Sequence, residues 1–339
     1  MIVRTASHAA QTDLYGLWLL DSLDKFQIGV PVKRRWYCIF RNLDFTPCGR
    51  NNAASSTTSR SAVSDIQRGA LVDQTPLPKT EPPANPLGGK TLVVDGQDVD
   101  AYPRPSAALI DAGETDQIFI RPGIYEDKIF VSGRPVLLVG AGRNAVQIFS
   151  RRGGPLYLQQ VPNGRISGIT FRYVGSDQHS AVNLLDSSCT VTQCRATDGI
   201  LSGVVIYGPQ SRTVFIDNEV CHNRESGIFV FAGAQPRLAD NRCFGNHHFG
   251  IAVRDPGSHP ELVRNQCREN MLSGILLFHH AEALLVDNVC IDNQQWGLVL
   301  TPDCRPTPDR ATLEQSNTLE PNPRGGVCVT EKPLADIGR

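Results

Sequence analysis

The stretch NRCFGNHHFGIAV (241–253) is one of four successive copies of nearly the same line. The other copies are NEVCHNRESGIFV from residue 218, NQCRENMLSGILL from residue 265 and NVCIDNQQWGLVL from residue 288. The copies start at 218, 241, 265 and 288, so the intervals between them are 23, 24 and 23 residues. A sequence period of this size predicts a stacked architecture in which each copy is one structural unit.

Within each copy the apolar runs have the length of strands, and Gly, Pro, Asn or Asp separates them. The runs have no helical period, and the Leu-x-x-Leu-x-Leu frame of a leucine-rich repeat is missing. The pattern therefore predicts an all-β, single-stranded parallel β-helix, in which each turn adds one strand to each of about three parallel sheets. A short capping helix is predicted upstream, from Pro105 to Gly113.

Residues at the same repeat position are predicted to stack in columns, with coils about 4.8 Å apart. The first asparagine of each copy is expected to take left-handed backbone at a tight bend and to bond the next amide. Cys243, Cys267 and Cys290, two positions further on, are expected to point inward with free thiols. Alternation along the strand after each glycine predicts a second inward set, which comprises Ile228, Val230, Ile251, Val253, Ile275, Leu277, Leu298 and Leu300.

The outward positions of the same strands are apolar too, which is unusual for a sheet face in contact with water. Three explanations of this apolar face remain open. The aromatic N-terminal region folds over this face, a protein partner or a second copy of the chain covers it, or the rings stay partly bare and stack against sugars. The aromatic residues expected to contact a ligand or partner are Tyr207, Phe229, Phe231 and Phe278.

The longest polar excursion between the repeats is RDPGSHP (254–260). Arg254, Asp255 and His259 are the candidate catalytic set, because they combine an anion-binding group with groups that move protons. His247 and His280 are candidate ligand contacts in neighbouring turns. The alternative interpretation of the excursion is a proline-containing turn before the next strand. A column of Glu269 and Asp292, and a zinc site at Cys243, are weaker candidates, and no metal or cofactor is predicted.

Composition excludes some function classes. The chain has 33 Lys and Arg against 34 Asp and Glu, a net charge of -1, which argues against nucleic acid or an anionic membrane as partner. LYGLWLL (14–20) is too short to span a bilayer and lacks a signal cleavage site. A cytoplasmic location with reduced thiols is therefore expected, with secretion as the alternative.

The predicted organisation has four parts. Residues 1–48 are a short N-terminal region, and residues 49–89 are a Ser- and Pro-rich linker expected to be disordered. Residues 90–302 form the β-helix, and residues 303–339 form a C-terminal cap and tail, with GVCV adding to the last coil.

The segment DQIFIRPGIYEDKIFVSGRPVLLVGAG (116–142) resembles the opening coils of pectin-methylesterase-like β-helix proteins. The later Asn- and Gly-Ile-containing units resemble the repeats of the carbohydrate-binding and sugar-hydrolase group, and above all the β-helix region of F-box proteins. The resemblance covers roughly residues 90–302 and implies the right-handed parallel β-helix of the pectin-lyase-like superfamily. RDPGSHP resembles part of the Asp-Pro-His-Asp motif of alginate C5-epimerases, but the catalytic signatures of methylesterases and polygalacturonases are missing, and the start of an F-box is absent.

Two functions fit this sequence. The first is a non-catalytic recognition scaffold that binds a protein or a glycan on the outer β-helix face. Its basis is the regular repeat, the apolar outer face and the missing catalytic signatures. The alternative is a polysaccharide-active enzyme, an epimerase or lyase acting on an acidic glycan, which rests on the polar cluster and on the activities common among β-helix proteins.

Overall fold

The computed structural model describes residues 80–330, and these residues form a right-handed parallel β-solenoid of about nine turns. The chain runs repeatedly through three parallel sheets, here named A, B and C, so that each turn adds one strand to each sheet. One short helix, α1 (Pro105–Asp111), lies between the first two strands, where the sequence predicts a capping helix. No helix within residues 80–330 is long and apolar enough to cross a membrane.

Sheet A contains ten strands: β1 (Thr91–Val94), β2 (Gln117–Ile120), β5 (Leu137–Gly140), β8 (Pro162–Ser167), β11 (Ser188–Thr192), β14 (Val214–Ile216), β17 (Arg237–Ala239), β20 (Glu261–Val263), β23 (Glu282–Val286) and β26 (Arg305–Thr307). Sheet B contains eight: β3 (Gly123–Glu126), β6 (Val146–Ser150), β9 (Thr170–Tyr173), β12 (Arg195–Thr197), β15 (Glu219–Cys221), β18 (Arg242–Phe244), β21 (Gln266–Arg268) and β24 (Val289–Ile291). Sheet C contains nine: β4 (Ile129–Ser132), β7 (Leu156–Gln159), β10 (Val182–Leu185), β13 (Val204–Tyr207), β16 (Ile228–Phe231), β19 (Ile251–Arg254), β22 (Ile275–Phe278), β25 (Trp296–Leu300) and β27 (Gly325–Val329).

The asparagine column is confirmed as a chain of amide–amide hydrogen bonds at the bend between sheets A and B. Nδ2 of Asn218 donates to Oδ1 of Asn241 over 3.2 Å. The same bond joins Asn241 to Asn265 at 2.9 Å, Asn265 to Asn288 at 3.0 Å, and Asn288 to Asn317 at 2.9 Å. Each amide from Asn241 to Asn317 also accepts a hydrogen bond from the backbone N–H of the asparagine one coil earlier. These buried polar groups therefore satisfy one another along the solenoid axis.

A second ladder runs along the bend between sheets B and C. Asn223 donates to Asn246 at 2.9 Å, and the bond repeats through Asn270 and Asn293 to Asn322. The last members of the two ladders belong to an additional copy of the repeat, NTLEPNPRGGVCV, which begins 29 residues after residue 288. The segment after residue 302 thus continues the coil, and its strand β27 pairs with β25.

The prediction that the ladder asparagines take left-handed backbone is wrong. The residue before each ladder asparagine from 218 to 293 has the positive φ instead, for example Asp240 (55°), Arg264 (52°) and Glu269 (54°). The left-handed residue turns the chain, and the asparagine that follows points its amide into the coil. Glu269 and Asp292, the weaker candidate pair, both occupy this turning position before the second ladder.

The inward columns are confirmed. All eight predicted strand residues, and Val220, Cys243, Cys267 and Cys290, are at most 1% exposed. The buried cysteines are free thiols, and burial raises the pKa of Cys189 to about 11 and that of Cys194 to about 12. Cys189 and Cys194 are therefore protonated apolar core residues at neutral pH.

At the start of the described range, side-chain hydrogen bonds hold the chain against the first coil. Nε2 of Gln117 donates to the carbonyl of Pro83 over 2.9 Å, and Nδ2 of Asn85 donates to the carbonyl of Thr115 over 2.9 Å. Residues 80–89 were predicted as part of the linker. The remainder of that linker, and the N-terminal region, lie outside the described residues.

Candidate functional site

Six aromatic side chains form a connected row on the outer face of sheet C. This aromatic stripe comprises Phe130, Tyr157, Tyr207, Phe229, Phe231 and Phe278, on strands from β4 to β22. The first two rings stack 5.5 Å apart, and the two tyrosine hydroxyls are 2.8 Å apart. Ring contacts of 5.2 Å, 4.9 Å and 6.5 Å then join Tyr207 to Phe231, Phe231 to Phe229, and Phe229 to Phe278. Sequence analysis found four of these residues and missed Phe130 and Tyr157, which precede the clear repeats.

Most rings of the aromatic stripe are half-buried or buried, although they lie on the outer face of the sheet. Tyr207 is 6% exposed and Phe231 is 4% exposed, and burial raises the pKa of both tyrosines of the stripe. Phe130 is open to solvent, while Tyr157, Phe229 and Phe278 are half-buried. Next to the stripe, an outer apolar cluster contains Phe249, Ala252, Leu276 and Val299. The interpretation in which the N-terminal region covers this face concerns residues outside the described range.

Arg254 lies against the stripe and connects it to a polar margin. Its guanidinium carbon is 5.7 Å from the ring centre of Phe229 and 5.4 Å from that of Phe231. Its Nε is 2.9 Å from Oδ1 of Asp255. The arginine therefore contacts aromatic faces and a carboxylate at the same time, a combination that its planar cation favours.

Asp255 occupies the first turn position after β19, where φ is 77°. Besides the contact with Arg254, its Oδ1 is 3.2 Å from Nδ1 of His279, and its Oδ2 accepts from the backbone N–H of Ala232 over 3.3 Å. Asp255 is 21% exposed and His279 is 49% exposed at the side chain. The imidazole thus has one nitrogen held by a carboxylate while a large part of the ring faces solvent. We call Arg254, Asp255 and His279 the polar margin.

His279 was not in the candidate catalytic set, although the repeat contains the signal for it. It stands 24 residues after Asp255, at the same turn position of the next coil. Stacking brings together residues one repeat apart more readily than residues four apart in one loop. His259, only four residues from Asp255, instead places Nδ1 3.5 Å from Oε2 of Glu282.

Of the other two candidate histidines, His280 adjoins the polar margin, with its ring 6.0 Å from that of His279, but it pairs with a different carboxylate. The backbone N–H of His280 donates to Oδ2 of Asp303 over 3.0 Å, and its Nδ1 is 3.4 Å from the same oxygen. Although burial opposes ionisation of Asp303, hydrogen bonds, the strongest from Thr301, lower its pKa. His247 is exposed in the turn before β19, whereas Arg254 ends that strand. The two residues are therefore at opposite edges of sheet C.

Glu225 and His248 stack at the edge of sheet C that also carries His247, and sequence analysis did not identify them. The backbone N–H of His248 donates to the carbonyl of Glu225 over 3.0 Å, which places the two residues at the same position of adjacent coils. Burial raises the pKa of Glu225 to about 7 and lowers the pKa of His248. Glu225 therefore changes charge near neutral pH, as acid–base residues do, whereas burial favours the neutral form of His248.

The structure does not support the weaker candidate, a zinc site at Cys243. Cys243 points into the core, whereas His247 is exposed. Within residues 80–330 no group of three or more His, Cys, Asp or Glu side chains is placed to hold a metal ion.

The architecture is similar to that of known proteins. Residues 156–316 match the family model described as "Right handed beta helix region". No curated protein sequence matches the chain. The matched region covers the strands from β7 to β26, including the ladder asparagines from 218 to 293 and the polar margin.

Three solved structures are similar to this β-helix. The pectate lyase Pel9A aligns with 12% identity and a TM-score of 0.49, over 69% of this chain and 73% of that one. The periplasmic alginate epimerase AlgG aligns with 13% identity and a TM-score of 0.41, over 71% and 55%. A pectin methylesterase from carrot aligns with 14% identity and a TM-score of 0.41, over 74% and 91%. At these identities the likeness concerns the fold alone.

Proposed function

We propose that this β-helix is a non-catalytic recognition scaffold that binds a glycan on the outer face of sheet C. The observation that carries the proposal is the continuity of the aromatic stripe with the polar margin. Apolar ring faces beside a few fixed polar groups are typical of ligand-binding surfaces. A sugar ring offers both kinds of partner, since its C–H faces pack on aromatic rings and its hydroxyls hydrogen-bond to Arg, Asp and His side chains.

The stripe suits an extended ligand. It crosses seven neighbouring strands of sheet C, from β4 to β22, which at about 4.8 Å per strand is roughly 29 Å. Phe130, Tyr157, Phe229 and Phe278 are its accessible rings. Tyr207 and Phe231 are buried, and they contact Tyr157 and Phe229 respectively. A ligand along the solenoid axis would meet rings at both ends and the polar margin near one end.

The test is binding of the full chain to a panel of neutral and acidic oligosaccharides, followed by calorimetry on the best ligand. Phe278→Ala removes an accessible ring and should weaken binding at least about fivefold, the usual contribution of one aromatic contact. Phe149→Ala is the matched control, because Phe149 is a half-buried ring on sheet B with an arginine, Arg151, 5.7 Å from its centre. Equal losses from both variants, or no binding to any oligosaccharide, would reject a glycan site on sheet C. In the second case, pulldown of a protein partner dependent on Phe278 would favour the protein-binding version of the scaffold.

A polysaccharide-active enzyme is the alternative, and two observations favour it. His279 is held by Asp255 with its ring partly exposed, and Glu225 has a pKa of about 7 at the opposite edge of sheet C. Such groups are suited to moving a proton at a sugar carbon. Incubation with acidic polysaccharides, monitored for unsaturated products and for exchange of the sugar C5 proton, separates the two functions. Turnover that His279→Ala abolishes while binding persists would make the chain an epimerase or lyase.

The buried free thiols support a cytoplasmic location as part of this proposal, because reduced cysteines are typical of that compartment. Secretion is the alternative. Fractionation of cells that express the tagged chain would distinguish the two.

A further inference from the structure

The outer face of sheet B carries a charged cluster that the proposed glycan site does not use. Glu219 on β15 has Arg195 of β12 and Arg242 of β18 as its neighbours in register on either side. Arg143, from the turn before β6, reaches the same carboxylate. We call the three arginines and Glu219 the arginine cluster.

All three guanidinium groups contact the carboxylate of Glu219. Oε2 is 2.6 Å from Nη2 of Arg195, and Oε1 is 3.0 Å from Nη1 of Arg242 and 3.4 Å from Nη2 of Arg143. Burial opposes ionisation of Glu219, but the hydrogen bond from Arg195 and the charges of the three arginines lower its pKa. Glu219 is therefore ionised at neutral pH, with only 9% of its side chain exposed.

One carboxylate does not balance three guanidinium groups. The nearest additional carboxylate is that of Asp217, 4.0 Å from Nη1 of Arg143, and it is 54% exposed, so water screens it. Other pairs on the solenoid surface, such as Arg237–Glu261 and Arg264–Asp240, join one arginine to one carboxylate. The cluster therefore has excess positive charge, and an additional anion would relieve the repulsion among its arginines.

Unused donors of the cluster face outward. Arg242 is 56% exposed and contacts Glu219 only through Nη1. Its Nε and Nη2 have no partner among the described residues. Its guanidinium carbon lies 5.6 Å from the ring centre of Phe244, a cation–π contact that helps to position the group. Arg195 adds a guanidinium that is 31% exposed. These are fork-shaped donors of the kind that bind oxyanions.

We propose that Arg143, Arg195 and Arg242 form an oxyanion-binding site on the outer face of sheet B, for a carboxylate, sulfate or phosphate group. The group comes either from an acidic glycan chain or from a free inorganic ion. Glu219 aligns the three arginines and competes with the incoming anion for them. The site lies on a different sheet from the aromatic stripe, so it does not depend on the function proposed for sheet C.

The test is calorimetric titration of the full chain with sodium phosphate, sodium sulfate and an oligogalacturonate, with a neutral malto-oligosaccharide of equal length as the uncharged control. Arg242→Ala should weaken oxyanion binding at least about tenfold, since charge-assisted hydrogen bonds are lost. Arg237→Ala is the matched control. Arg237 forms an ordinary one-to-one pair with Glu261, at 3.0 Å, on sheet A and is 49% exposed. The Arg237→Ala variant should bind the oxyanion with an affinity within about twofold of that of the unmodified chain.

Glu219→Gln separates a binding site from a purely structural clamp. Removal of the competing charge should tighten phosphate binding about tenfold and make the melting temperature of the variant rise with phosphate more steeply than that of the unmodified chain. A variant that is less stable and indifferent to phosphate would overturn the proposal. So would absence of binding to all three anions, or equal losses from Arg242→Ala and Arg237→Ala.

The same titrations identify the source of the anion. Tighter binding of oligogalacturonate than of phosphate and sulfate indicates a glycan-borne group, and the reverse order indicates a free ion. Phe278→Ala should leave phosphate and sulfate binding unchanged, so failure of the sheet C proposal and failure of this one are distinguishable.

Discussion

The bend between sheets A and B and the turn after sheet C both carry a column of polar side chains, but the two columns differ in burial and in chemistry. At the first bend the same residue, asparagine, recurs in each of five coils, and the side chains from Asn218 to Asn288 are at most 1% exposed. At the turn after sheet C the residue changes from Ala232 to Asp255 to His279 along successive coils. There the polar side chains are partly exposed and form acid–histidine pairs.

The difference follows from which groups can pair with copies of themselves. An amide carries both donor and acceptor, so identical asparagines can stack without limit and satisfy each other in the absence of water. A carboxylate only accepts, so Asp255 is satisfied by groups other than a copy of itself, among them His279 of the next coil. A column of repeated amides therefore indicates a structural role, whereas a column of varying ionisable side chains has groups that can bind a ligand.

The strongest test of the structural column is Asn241→Asp. The carboxylate cannot donate to Phe215 O or to Oδ1 of Asn265, as the amide does, and it would place a charge at a position that is 0% exposed. The variant should lose about 3–5 kcal/mol of unfolding free energy at neutral pH. Its folded-state pKa would be raised, so the loss should be smallest at low pH and should grow as pH rises through the unfolded-state value. Urea unfolding across pH measures this. A loss independent of pH would mean that no charge is buried there.

Asn265→Ala tests the same column without a charge. It leaves the backbone N–H of Asn241 and the carbonyl of Leu238 without their partners, so the free energy of unfolding should fall by about 2–3 kcal/mol. Gln266→Ala is the control, because Gln266 is the adjacent exposed residue and its loss should cost less than about 0.5 kcal/mol. Equal midpoints for both variants in urea would show that the ladder does not stabilise the coil.

Sequence alone predicted the columns but not every member of them. The intervals of 23 and 24 residues predicted the ladder and the inward cysteines, because stacking needs only a constant period. The last copy was missed because its interval is 29 residues, although Asn317, Asn322 and Gly326 keep the internal offsets of 5 and 9 residues. The left-handed residue was assigned one position too late, since asparagine is itself common in that conformation and the pattern does not show which of two adjacent residues turns the chain.

The candidate site was predicted in part for a related reason. Arg254 and Asp255 are in contact in the structure, but His259 was grouped with them by distance along the chain. In a solenoid the next coil is nearer than the other end of the same loop, so His279 contacts Asp255 while His259 contacts Glu282. The burial of Tyr207 and Phe231 was not predictable, because the sequence shows that the outer face is apolar and does not show what lies against it.

The smallest expected effect on stability belongs to Asp255→Asn, and it sharpens the contrast between the two columns. The polar margin is partly exposed, so loss of the carboxylate charge should change the unfolding free energy by less than about 1 kcal/mol, well below the change expected for Asn265→Ala. Affinity for a glycan that binds to the stripe should nevertheless fall several-fold, because Asp255 holds both Arg254 and His279 in place. Parallel urea unfolding and calorimetry measure the two quantities on one preparation. A stability loss as large as that of Asn265→Ala, with glycan affinity unchanged, would assign the polar margin to structure and remove the distinction between the columns.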